Sequence, residues 1–86
     1  MTIRDFAGKI ELLKELFPFS VTSWFRSKKR NAAVGGHPQS KHLTGFAVDV
    51  VLDDPKDTPQ FLRTVNALGL GFLEEDDHIH IQRRFL

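Results

Sequence analysis

Cysteine is absent from this chain of 86 residues. Disulfides and thiolate metal sites are therefore excluded, and cysteine usage says nothing of redox compartment. An excess of charge of either sign is lacking too: 12 Lys and Arg stand against 11 Asp and Glu, a net charge of +1. No general electrostatic case exists for binding nucleic acid or a membrane surface. The one basic cluster, Arg26-Ser27-Lys28-Lys29-Arg30, is short and reads as a solvated helix start. No apolar run is long enough to span a bilayer. The start, Met1-Thr2-Ile3-Arg4-Asp5-Phe6, has no basic segment followed by an apolar stretch, so it is not a secretory signal. The expectation is a chain made in the cytoplasm, or a trimmed piece of something longer.

What is present is globular: 41% hydrophobic and 27% charged residues. The length fits one domain, residues 1–86, with a modest core. Ile3, Phe6, Ala7, Ile10, Leu13, Leu16 and Phe17 recur at helical spacing, which predicts a helix over 3–17 that Pro18 stops. Thr2 and Asp5 form a capping-box pattern at its start. Ser20–Phe25 reads as a strand. A short helix follows over Lys28–Val34, capped by Ser27 and ended by Gly35 and Gly36. Residues 35–45 read as a loop. Ala47–Leu52 is an apolar strand interrupted by Asp49, and 53–56 is a turn. Thr58 caps a second clear helix to Leu68, with Pro59 in its first position and Gly69 after its end. His78–Gln82 alternates polar and apolar as a strand does. Glu74-Glu75-Asp76-Asp77 reads as a solvated acidic turn.

Two polar groups interrupt this apolar pattern. His42 and Asp49 stand seven residues apart, and Asp77-His78-Ile79-His80 lies near the C-terminus. Two imidazoles and a carboxylate, with one position left for water, describe a catalytic zinc site. Strand parity sharpens this. His78, His80 and Gln82 share one face of the last strand, and Ile79 and Ile81 share the other. Asp49 shares its side with Ala47 and Val51. If the two strands neighbour each other, Asp49 and His80 converge. A buried Asp in an apolar strand is costly without a partner or a metal.

Residues 40–49 have the form S-x-H-x-x-G-x-A-x-D. Five fixed residues in ten arise by chance less than about once in ten thousand chains of this length. The pattern resembles the signature of the zinc D-alanyl-D-alanine carboxypeptidases and L-alanyl-D-glutamate endopeptidases, peptidoglycan metallopeptidases of the hedgehog/DD-peptidase fold. Thr22-Ser23-Trp24-Phe25-Arg26-Ser27 resembles the family's strand ending in S-G-Y-R-S, with Trp24 where glycine is usual. Asn31-Ala32-Ala33-Val34-Gly35-Gly36 resembles its N-x-A-V-G-G segment, and His78-Ile79-His80-Ile81 its closing strand. The resemblance covers residues 20–52 and 77–82, and the chain is shorter than typical members between Asp49 and His80.

The resemblance implies an α+β fold: a small antiparallel sheet with helices packed on one face and a zinc site on the other. It makes His42, Asp49 and His80 the ligands of one Zn2+ ion, with Ser40 supporting His42. Arg26 matches the arginine that holds a substrate carboxylate or the developing oxyanion. The general base falls to Asp77, three residues before the last ligand. Strict alternation turns Asp77 away from the metal, however, so the role requires the strand to begin after it or to bulge there. His78 has the right facing for the same role, and Glu74, Glu75 and Asp76 are further alternatives. His37, in the glycine loop, reads as exposed and idle. The activity implied is hydrolysis of peptidoglycan stem peptides, at D-Ala-D-Ala or L-Ala-D-Glu bonds. The enzyme is expected as a monomer acting on the cell wall, with phage-type release at lysis as the route. The alternative is a catalytically reduced, zinc-containing module that binds wall peptide or serves a structural role.

Overall fold

The computed structural model describes residues 1–24, 28–36 and 41–84. Helix α1 (Ile3–Leu16) opens on the capping box that the sequence predicts. Thr2 Oγ1 accepts from the Asp5 amide at 3.1 Å, and the Thr2 amide donates to the Asp5 carboxylate at 3.0 Å. This reciprocal pair satisfies two N–H groups that the first turn leaves without helical partners. Phe6, Ile10 and Leu13 form the buried stripe of α1. The helix ends at Phe17, whose backbone is extended, and Pro18 follows.

Strand β1 (Phe19–Ser23) comes next, then the short helix α2 (Lys28–Ala33). Gly35 turns the chain after α2 at φ +72°, a conformation open to glycine without strain. A 3-10 turn spans Lys41–Thr44 and carries His42. Gly45 then reverses the chain at φ +81°, and a Cβ there would meet the Ile3 side chain at 3.1 Å. Strand β2 is Ala47–Leu52. Helix α3 (Thr58–Ala67) follows a 3-10 turn over Pro55–Asp57. Strands β3 (Leu70–Glu74) and β4 (Ile79–Arg83) close the chain.

The four strands form one sheet in the order β1-β2-β4-β3, with each neighbouring pair antiparallel. In the central pair Val48 lies opposite Ile81 and Val50 opposite Ile79. These four join Phe6, Ile10 and Leu13 of α1 and Phe61 and Val65 of α3 in a single apolar cluster. Phe61 sits edge-on to both Phe17 and Phe19, at 5.4 and 5.7 Å between ring centres. The two helices are also tied directly, because Lys9 Nζ donates to the Leu68 carbonyl at 2.6 Å. That carbonyl closes α3, where a cation meets the negative end of the helix dipole.

Several boundaries differ from the sequence expectation. Strand β1 starts at Phe19, which is buried, and stops at Ser23. Trp24 lies beyond it, and Phe25 and Ser27 fall outside the described residues. Thr58 is the first residue of α3, not its cap, and its hydroxyl donates to the Pro55 carbonyl. Strand β4 starts at Ile79, which leaves His78 in the preceding connection. The sequence reading missed β3 altogether. Glu74 belongs to that strand, so the acidic connection is only Glu75, Asp76 and Asp77 before His78.

Candidate metal centre

The face of the sheet turned away from the apolar cluster carries the polar residues. Asp49 and His80 are direct cross-strand partners, and Ala47 lies opposite Gln82 beside them. Directly opposed side chains on one face stand close enough to touch. His80 Nδ1 is 3.0 Å from Asp49 Oδ1. His42 reaches the same oxygen from the 3-10 turn, with Nε2 at 3.2 Å. The donor atoms of His42, Asp49 and His80 all lie within 4.8 Å of one another. The structure thus brings together the three residues that parity and motif single out.

Each imidazole is held from behind. His42 Nδ1 lies 2.6 Å from the Trp24 carbonyl oxygen. A carbonyl only accepts, so Nδ1 carries a proton and Nε2 is the nitrogen turned toward Asp49. The His42 side chain is 1% exposed. Trp24 also donates its indole N–H to the Gly45 carbonyl at 2.8 Å and stacks edge-on against Phe6. It therefore braces both ends of the short segment that carries His42. His80 is held by Gln82, whose Oε1 is 2.9 Å from His80 Nε2.

The fit of a metal can be judged from these atoms. The contact between His42 Nε2 and the Asp49 carboxylate is satisfied by a proton on that nitrogen or by a cation shared between the two. Ligands about 2.0–2.1 Å from a tetrahedral ion stand about 3.3 Å apart. The observed separations of 3.2 and 3.0 Å from Asp49 to His42 and His80 match that edge.

Electrostatics agree. Burial pushes the Asp49 carboxyl up, but the His80 hydrogen bond and the three nearby imidazoles outweigh it and hold the group below its usual range. The hydrogen bond to Asp49 raises His80 above the ordinary imidazole value, against the opposing effect of burial.

His78 is the third imidazole at this carboxylate, with Nε2 3.8 Å from Asp49 Oδ1. Its Nδ1 is 2.7 Å from Asp77 Oδ1. Asp77 itself is 89% exposed and points at His78, and that hydrogen bond holds its carboxyl below the usual range. Beside His78 opens a cleft of about 200 Å³, with Val50, Val51 and Leu52 along one wall and Glu74, Glu75, Asp76 and Asp77 along another. His42, Asp49 and His80 do not line it, so the cleft meets the trio through His78.

Arg26, Ser40 and His37 lie outside the described residues. Trp24 and Gln82 are the supports that sequence reasoning missed. Parity had already put Gln82 on the His80 face, but nothing in the sequence marked a tryptophan carbonyl as an acceptor.

Two imidazoles and a carboxylate on the open face of an antiparallel sheet, with a third histidine at the edge, make a donor set for a metal-dependent hydrolase. The chain belongs to the Peptidase M15 family, whose model matches residues 3–82, so it is a metallopeptidase by descent. The match takes in every residue of the trio and all of the sheet except Arg83 at the end of β4. No curated protein and no solved structure matches the chain. Among the described residues no helix is long and apolar enough to cross a membrane.

Proposed function

We propose that this chain is a zinc peptidase that hydrolyses peptide bonds in bacterial peptidoglycan stem peptides. It would be of the D-Ala-D-Ala carboxypeptidase or the L-Ala-D-Glu endopeptidase type. The observation that carries the reading is the convergence of His42, Asp49 and His80 in a chain of a peptidase family. Neutral imidazole and carboxylate suit zinc, and this set leaves a net positive charge at the ion. When bound there, zinc supplies Lewis acidity to the scissile carbonyl and makes water at the site more acidic.

The remaining work falls to the protein's own side chains. With Asp77 accepting from Nδ1–H, His78 turns the lone pair of Nε2 toward the site. That is the arrangement of a base oriented by a carboxylate, and it puts His78 in position to take a proton from water and return it to the leaving amine. Asp77 acts in this reading through His78. Arg26 holds a substrate carboxylate or the developing oxyanion, a task suited to a planar and permanently charged fork. Ser40 supports the His42 segment. Residues 1–86 work as one domain and as a monomer, on the cell wall, with lysis as the route of release.

The test is digestion of muropeptides by the zinc-loaded protein, followed by defined stem peptides, with products read by mass spectrometry. Release of a single D-alanine identifies the carboxypeptidase, and cleavage after L-alanine the endopeptidase. If the zinc-loaded protein leaves every stem peptide intact, the reading is wrong; wall peptide bound but uncut would mark a binding module instead.

A further inference from the structure

The geometry points to Gln82 as a positioning residue that selects which nitrogen of His80 faces the metal. This rests on the metal-centre reading above and adds to it an assignment of ligand atoms. The two histidines of the trio present different ring nitrogens to Asp49: Nε2 of His42 and Nδ1 of His80. The opposite nitrogen of each ring is occupied. For His42 the occupant is a backbone carbonyl, which can only accept and so fixes the tautomer. For His80 it is the Gln82 side-chain oxygen at 2.9 Å. Both nitrogens of His80 thus face an oxygen, and once an ion takes the place of the proton at Nδ1, the Gln82 oxygen holds the remaining proton on Nε2.

Sheet geometry explains why Gln82 can do this and its neighbours cannot. It sits two residues after His80 in β4, so both side chains leave the same face. Its cross-strand partner in β2 is Ala47, and in β3 it is Gly71. Both are too small to compete for the space, and a Cβ at Gly71 would lie 3.7 Å from the Gln82 side chain. The amide is therefore laid along the strand toward His80 between two residues that have almost no side chain. A long side chain at either flanking position would displace it. The small residue at position 47 thus leaves room for the Gln82 amide.

The direct measurement needs no variant. The protein is loaded with 113Cd in place of zinc and its histidines are labelled with 15N. Scalar coupling from cadmium is expected at His42 Nε2 and at His80 Nδ1. Coupling at His80 Nε2 overturns the assignment. The second arm measures Kd for zinc by competition with a chelator. Gln82→Leu removes the acceptor and is expected to weaken binding about 10- to 100-fold, the usual effect of losing a partner behind a ligand. Gln82→Glu keeps an acceptor in the same place and is expected to restore the wild-type value or improve on it. A purely structural role predicts instead that both variants lower the metal-free melting temperature and affect Kd alike, and that result overturns the proposal. Wild-type protein that binds neither metal would remove the metal centre itself. Metal bound with the other nitrogen would remove only the role of Gln82. Peptide cleavage enters neither arm, so failure of the peptidase reading is seen separately.

Discussion

Strand β2 presents two chemistries one residue apart. On its covered face, Val48 and Val50 meet Ile81 and Ile79 and disappear beneath α1 and α3. On its open face, Ala47 and Asp49 meet Gln82 and His80, and three imidazoles gather around one carboxylate oxygen. The covered face is non-directional: any apolar side chains of the right volume would hold it together, at about 1.5–3 kcal/mol for each large residue buried. The open face depends on individual atoms, because each imidazole must offer a particular nitrogen. The first face supplies the stability that lets the second gather titratable groups around one carboxylate. A slip of one residue in register would exchange the two sets and destroy both.

The sharpest way to break this division is to remove a proposed ligand. Asp49→Ala and His80→Ala are each expected to abolish metal retention, measured on the purified protein by elemental analysis, and to reduce peptide turnover to background. The circular dichroism of both variants should remain that of the wild type, because no apolar contact of the core is lost. The converse substitution is Phe61→Ala. It removes a fully buried ring that two other aromatic rings pack against, and should cost about 3–5 kcal/mol in urea unfolding. That is a large part of the 5–15 kcal/mol typical of a domain. The fraction that stays folded should still bind zinc with unchanged affinity.

A pH series separates the faces without mutation. His80 is raised in the folded protein, so its pairing with Asp49 stabilises the metal-free form fully below about 6.5 and fades as the pH climbs through the folded value. Asp49 is lowered, so its share is present above about 3.8 and fades as the pH falls through its folded value. Metal-free stability from this pair should therefore be greatest between those limits. Zinc requires neutral imidazole, so its affinity should rise as the pH increases through the upper range. Opposite slopes for metal-free melting temperature and zinc affinity above about 6.5 are the expected result, and parallel slopes would sink the assignment of His80 as a ligand. The smallest effect lies farthest from the site. Thr2→Ala opens the capping box of α1 and should cost about 1 kcal/mol, with zinc affinity untouched.

Much of this was legible in the residues. The period of Phe6, Ile10 and Leu13 gave α1, and β2 runs over the six residues expected. The pairing of Asp49 with His80 followed from alternation once the two strands were taken as neighbours. Strand β3 was not legible, for physical reasons. Leu70-Gly71-Phe72-Leu73-Glu74 has a glycine inside it, contains no β-branched residue, and leaves Phe72 and Leu73 substantially exposed, so it offers no clean alternation. Its place is decided by pairing with β4, which is tertiary information. The orientation of Asp77 was likewise out of reach. Parity could show that it leaves the strand on the wrong side, but not that the strand begins after His78 and that the carboxylate turns to that ring.

Trp24 has a practical consequence. It is the single tryptophan of a chain that has no tyrosine, so near-ultraviolet emission comes from one indole. That indole is hydrogen-bonded to the Gly45 carbonyl, and the backbone of the same residue accepts from the ring of His42. An ion bound at His42 as proposed would act on a ring hydrogen-bonded to the fluorophore's own carbonyl, so a change in emission on metal uptake is the expected outcome. Stopped-flow emission is the measurement that checks it.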